Sequence, residues 1–292
     1  MNIDMDMDIG NVMNIGSDMD IDMIALDLDG TLLERDHASV TARSVQVIDE
    51  AHRRGIVVAI ASGRIYSFLP PAARSITAIT WAITSNGAVL YDQHSHTTAG
   101  GTYISPTSTR ALLGRLPRDV WAEVWSKGKI YVERRQWDRM REYPLAPLHV
   151  TVLDQIGEPT DDILTLAGSE DTRVEKINLP IAPATVKLDL MRLPSADMRY
   201  SFIDTGSGLE ISGPKVSKAQ GIRRLCAAMS ISMRNVLAIG DSENDIDMLR
   251  DCGVGVAMGN AIKPVKAVAD AITLSNHEDG VALAIERYAL RV

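Results

Sequence analysis

The sequence predicts an α/β protein: a doubly wound parallel, Rossmann-like sheet interrupted by an inserted α+β domain. Three observations lead there. Short apolar runs alternate with helix-like segments, polar residues cluster at the ends of those runs, and the middle of the chain follows a different pattern.

The runs are MIALDL (23–28), GIVVAIAS (55–62), WAITS (81–85), NVLAIG (235–240) and GVGVAM (253–258). Continuous rather than alternating hydrophobicity suits parallel strands covered by helices on both faces. Between the first two lies TARSVQVIDEAHRRG, with apolar residues at 45, 47, 48 and 51 and a terminal Gly55, which reads as a helix and its stop. Strand, helix, strand is the repeat of an α/β core.

After Asn86-Gly87 the signals mix. Ser105 followed by Pro106 opens a helix over 105–116, and DVWAEVWSKGKIYVER (119–134) places aromatic and β-branched residues on both sides of Lys127-Gly128-Lys129, a hairpin. The proline-rich PIAPATVKLDLMRLP and the loop DTGSG (204–208) precede the return to the core pattern. The expected division is a core of 23–88 and 209–292 with an inserted domain at 89–208.

The first 22 residues alternate Met, Ile and Asp without a basic segment, so they are no secretory signal, and their acidity opposes packing. They are expected to be a disordered tail, with Met19 or Met23 as the natural start. Six aspartates in this stretch account for most of the net charge of −8, leaving residues 23–292 at −2. That balance gives no electrostatic footprint for nucleic acid, and no apolar run is long enough for a membrane span. The two cysteines, Cys226 and Cys252, form neither a disulfide framework nor a zinc site, and read as reduced thiols in a cytoplasmic protein.

Open α/β sheets bind ligands beyond the carboxyl ends of their strands. Here those ends carry Asp27 and Asp29, Ser62-Gly63-Arg64, Ser85-Asn86-Gly87, and Gly240-Asp241-Ser242-Glu243-Asn244-Asp245. Several carboxylates on one rim need a counter-charge, and oxygen ligands without His or Cys select a hard cation, Mg²⁺ better than Ca²⁺. Neither acidic stretch is an EF-hand: Leu32 or Ile246 falls where the loop needs Gly, and Ala38 or Cys252 where it needs Glu. Lys218, just after a capping Ser217, puts a cation in a first helical turn, where the macrodipole disfavours it unless an anion is held there. With the hydroxyl and exposed amides of Ser62-Gly63 and the fork of Arg64, that anion is most simply phosphate.

The ordered set DLDGT, ASGR, SNGA, VSKAQG and GDSEND, with AMGNA (257–261) and NHEDGVALAI (276–285) near the end, resembles the haloacid dehalogenase superfamily. The insertion after SNGA is similar to the large α/β (type IIB) cap of its Cof-type phosphatases. The resemblance implies that Asp27 is the nucleophile, becoming an aspartyl-phosphate, and that Asp29 is the acid and then the base, its carbonyl also binding the metal. It further implies an Mg²⁺ site of Asp27, Asp29 and Asp241, with Ser62, Gly63, Lys218, Asn244 and the Leu28 amide on the phosphoryl oxygens. Thr31 would orient the nucleophile loop, Asp245 would bind the metal or support a ligand, and Arg64 and Asn86 fit the branch pattern, Arg64 being equally open to packing or pairing locally.

The expected activity is Mg²⁺-dependent hydrolysis of a small phosphorylated metabolite, sugar phosphates leading. A phosphosugar mutase shares the chemistry, and Arg134, Arg135, Arg139 and Arg141 keep it open as a second phosphate clamp. A receiver-like signalling module also phosphorylates an aspartate but lacks the Asp29 acid/base. His94 and His96 read as turn residues, Trp121, Trp125 and Trp137 as core, and the Asp161-Asp162 and Glu170-Asp171 pairs as solvated charges.

Overall fold

The computed structural model describes residues 20–192 and 201–292. The expected acidic tail falls largely outside these residues, but its last residue is tied to the fold: the Asp22 amide donates to the Asn235 carbonyl, and the Asn235 side chain donates to the Asp22 carboxylate.

In chain order the described strands are β1 Met23–Leu26, β2 Val57–Ala61, β3 Ile79–Thr84, β4 Val89–Asp92, β5 Thr97–Gly101, β6 Glu123–Ser126 and β7 Lys129–Glu133. They continue with β8 Gly157–Thr160, β9 Val174–Leu179, β10 Ser201–Asp204, β11 Leu209–Ser212, β12 Val236–Gly240, β13 Val254–Ala257 and β14 Ala271–Ile272. The chain forms two compact units, one from the chain up to Val58 together with Cys226–Val292, the other Ala59–Leu225.

In the first unit β14, β13, β12 and β1 are parallel neighbours, with Met23 opposite Val236 and Leu237 opposite Val254. All residues of β1, β12 and β13 are buried, which is why these runs are apolar without alternation. The helix between β1 and β2 spans Ala42–Arg53, capped by the Thr41 hydroxyl accepting from the Ser44 amide, and buries Val47, Ile48 and Ala51. Cys226 and Cys252 are buried, the first against the Met23 sulfur. The core is therefore the α/β fold with parallel strands that the runs implied.

In the second unit β3, β4 and β5 form an antiparallel meander. A six-stranded sheet has the order β10-β11-β9-β6-β7-β8. The expected hairpin is β6–β7, its two central residues Lys127 and Gly128 at φ +49° and +81°, as a two-residue turn with right-handed strand twist requires. The expected helix is Pro106–Leu113, with the Ser105 hydroxyl accepting from the Ser108 amide. DTGSG is the turn of the β10–β11 hairpin, and β11, at 209–212, still belongs to the six-stranded sheet.

Trp121 and Trp125 are buried with Ile130, Val132 and Leu153, and Trp137 packs against the same cluster, so the indoles are core. His94 and His96 are exposed turn residues. Asp162 differs from the expectation of a merely solvated charge: its carboxylate accepts from the Thr165 amide and caps helix Ile163–Ala167. Its neighbour Asp161 pairs with Arg134.

Candidate active site

Strand β1 stops at Leu26, one residue before the acidic pair, so the period-two alternation of a strand does not carry through Asp27 and Asp29. Gly30, at φ +82°, turns the chain out of the sheet direction. The two carboxylates thereby separate in environment. Asp27 is buried at 5% exposure, whereas the Asp29 side chain is 39% exposed and meets His37 Nδ1 at 3.0 Å.

Carboxylate oxygens of Asp27, Asp241 and Asp245 lie within 4.8 Å of one another. Asp27 extends from β1, its amide donating to the Ile239 carbonyl of β12, and Asp241 directly follows β12. Adjacent parallel strands therefore deliver two of the three acids side by side. Asp245 arrives through the turn after β12. One of its oxygens accepts from the amides of Asp241 and Ser242, both at 2.9 Å, fixing the loop that carries Asp241.

Thr31 donates its hydroxyl to Asp241 Oδ1 at 3.1 Å, so it orients that carboxylate. An added Cβ on Gly30 would lie 2.4 Å from Asp241 Oδ2, so the bare glycine leaves room for the acid. An all-oxygen donor set of three carboxylates fits a hard divalent cation such as Mg²⁺. The side-chain cluster contains Asp245 where the sequence placed Asp29; the role expected of Asp29 toward the metal uses its backbone carbonyl.

Two residues that sequence reasoning left without a role brace this loop. Asn260 donates to the Gly30 carbonyl at 2.8 Å, and Asn276 donates to the Leu33 carbonyl at 2.8 Å while its amide reaches Asn260 Oδ1. Both lie in the stretches AMGNA and NHEDGVALAI, the only signal that marked them. Leu28 is fully buried in the same loop, and Asn244 lies in the 3₁₀ turn Glu243–Asp245.

In the second unit, Ser62 and Gly63 follow β2, and the Ser62 hydroxyl accepts from the Arg64 amide at 3.2 Å. The Asn86 amide donates to the Ser62 carbonyl and the Ser85 amide to the Arg64 carbonyl, both at 2.9 Å, so the ASGR and SNGA stretches form one hydrogen-bonded pair of loops. Arg64 turns onto the Phe68 ring, 4.8 Å from its centroid, and reaches the Phe68 carbonyl. Lys218 opens helix Lys218–Met229 and is 1% exposed, far from a solvated surface lysine. Gly87 lies against it: a Cβ there would stand 3.2 Å from the Lys218 amide.

The four arginines considered for a second phosphate clamp are occupied locally. Arg134 pairs with Asp161, Arg139 with Glu142 and Arg141 with Asp154, while Arg135 donates to the Arg118 carbonyl.

A family model described as haloacid dehalogenase-like hydrolase matches residues 24–285. The chain belongs to that family. It is an enzyme of the phosphatase branch, Cof-type, with the large α/β cap. It is 30% identical to the phosphatase YwpJ of Bacillus subtilis, over 89% of this chain and 97% of YwpJ. It is 27% identical to the 5-amino-6-(5-phospho-D-ribitylamino)uracil phosphatase YcsE of the same organism, over 94% and 98%. In fold this HAD-like hydrolase is similar to the subclass IIB sugar phosphatase BT4131, with a TM-score of 0.74 at 20% identity over 91% of this chain and 98% of that one.

Proposed function

We propose that the protein is an Mg²⁺-dependent phosphatase that hydrolyses a small phosphorylated metabolite, a sugar phosphate or a similar polyol phosphate, through an aspartyl-phosphate. The observation that carries this reading is the convergence of Asp27, Asp241 and Asp245 in a chain of this family. An Asp27 carboxylate oxygen attacks phosphorus as the ester P–O bond breaks, and Asp29 gives its proton to the leaving alkoxide. Asp29, now a carboxylate, takes a proton from the water that attacks phosphorus in the second step, releasing inorganic phosphate and free Asp27. Asp27, Asp241 and the Asp29 carbonyl would hold Mg²⁺, which would supply the neutralising charge that phosphoryl transfer needs.

Ser62, Gly63, Lys218, Asn244 and the Leu28 amide are assigned to the remaining oxygens. Thr31 and Asp245 are assigned to orienting Asp241, and Asn86 to shaping the Ser62–Gly63 loop. The segments 23–88 and 209–292 are assigned to catalysis and 89–208 to the cap, except that β11 at 209–212 pairs into the six-stranded sheet. The polyol class is suggested by the ribityl phosphate named for YcsE. A cytoplasmic setting is proposed from the cysteine content, since two cysteines make no disulfide framework. No helix among the described residues is long and apolar enough to cross a membrane.

The test is Mg²⁺-dependent phosphate release across a panel of phosphorylated sugars, polyols and other metabolites. Release with at least one ester, abolished by chelation, is expected. A hexose phosphate rearranged without phosphate release would indicate a mutase, and a phosphorylated protein that persists for hours would indicate a signalling module.

A further inference from the structure

At the end of β3 three consecutive residues occupy the left-handed region, Ser85 at φ +51°, Asn86 at +57° and Gly87 at +97°. Two of them carry a Cβ, and such a run persists only where the surroundings over-determine it. The surroundings here are three charged side chains of the six-stranded sheet. Glu175 accepts the Ser85 hydroxyl at 2.7 Å and the Lys127 amide at 3.1 Å. Glu210 accepts the Asn86 side-chain amide at 2.6 Å and the Lys176 ammonium at 2.7 Å. Lys176 also donates to the Gly63 carbonyl at 3.1 Å and lies 3.9 Å over the Trp125 ring.

Adjacent strand residues ordinarily face opposite sides of a sheet. Glu175 and Lys176 both serve these loops because the β6–β9 register slips there: Trp125 pairs with Lys176 but Ser126 with Val174, leaving Glu175 as an extra residue. A bulge that re-aims a side chain next to a site is a recurrent device. The cluster is otherwise costly. Glu175 and Lys176 are 6% and 1% exposed, and burial pushes the Glu175 carboxyl up to about 7. None of the three residues has a task in the chemistry described above.

We propose that Glu175, Lys176 and Glu210 are positioning residues that hold the strained Ser85–Gly87 turn, and through it the Ser62–Gly63 loop, in the geometry that receives the phosphoryl group. The proposal rests on the phosphatase reading. The link between the loops is direct, since the turn's amides bond the Ser62 and Arg64 carbonyls and a Cβ on Gly63 would stand 2.9 Å from Asn86 Oδ1.

The experiment compares full-length wild type with Glu210→Ala, Glu210→Gln and Lys176→Met by amide hydrogen exchange and by steady-state kinetics on the ester found in the panel. Expected for Glu210→Ala is exchange at 62–64 and 85–87 faster by about tenfold, with other core segments unchanged. Competitive inhibition by inorganic phosphate should weaken by about tenfold or more, with the Mg²⁺ half-saturation within about twofold of wild type. Lys176→Met should act in the same direction, and Glu210→Gln, which keeps one of the two acceptor oxygens, should be clearly less affected than Glu210→Ala in both readouts.

Unchanged exchange in these loops would overturn the proposal. So would exchange raised evenly across the protein with the Gln variant as damaged as the Ala variant, since that is what a purely structural role gives. If wild type releases phosphate from no ester, the phosphatase reading falls, while the exchange comparison still decides whether these side chains hold the turn.

Discussion

Gly30→Ala is the sharpest perturbation of the acidic cluster, because it adds one carbon and removes no ligand. That carbon would lie 2.4 Å from Asp241 Oδ2 and 2.9 Å from Asp241 Cγ, against ordinary contact at 3.4 Å or more. The carboxylate must therefore retreat by about 1 Å, and misplacement on that scale costs catalysis about 10²-fold. The backbone cost is separate: a left-handed alanine at φ +82° is less stable than glycine by about 1–2 kcal/mol, a fraction of the roughly 5–15 kcal/mol of an ordinary fold.

The expected outcome is thus a folded protein whose turnover falls about 10²-fold and whose Mg²⁺ half-saturation rises. Titrating Mg²⁺ in a phosphate-release assay, beside a urea melt of the same preparation, separates the two effects. Near-wild-type turnover and Mg²⁺ dependence would show that Asp241 has freedom to move without consequence, and the reasoning about a tightly placed cluster would be refuted.

Asp29→Asn should lose turnover with the fold retained, since the amide cannot shuttle the proton; near-normal steady-state hydrolysis by that variant would remove Asp29 from the acid/base role. Glu175→Gln should flatten the pH dependence of stability. The folded carboxyl sits at about 7 against an ordinary 4.5, so its contribution is fully present below about 4.5 and is lost as pH rises through 7. By pH 8 to 9 wild type should have lost up to about 3 kcal/mol that the neutral variant keeps, read from urea melts across that range. Glu123→Ala should cost about 3–5 kcal/mol in the same assay, because the fully buried carboxylate accepts from Trp121, Trp125 and Asn178 and pairs with His149. Burial opposes the Glu123 charge, yet these bonds hold its carboxyl below the usual range, so in wild type that stability should be present above the ordinary 4.5 and fade as pH falls below it.

The parallel core was legible because full burial on both faces demands runs of apolar residues, and MIAL, VLAIG and VGVA satisfy that demand without help from distant residues. Local chemistry likewise announced the Thr41 and Ser105 caps and the Lys127-Gly128 turn, each a matter of a few adjacent residues. The end of the DTGSG loop was harder. Nothing in LEIS distinguishes a strand that continues the six-stranded sheet from the return to the core, since pairing partners lie far off in sequence.

The sequence by itself determined the chemistry available: aspartates at two strand ends, a serine-glycine loop and a misplaced lysine, in an order that few folds share. Only the tertiary structure decided how those groups divide the work. It turned Asp29 toward His37, gave Asp245 both the cluster and the amides of its own loop, and brought Glu175, Lys176 and Glu210 from the six-stranded sheet onto the strained turn. The reason is physical: a residue's type and local backbone follow from its neighbours in the chain, but the partner that satisfies a buried charge is chosen by whichever distant segment packing places within 3 Å.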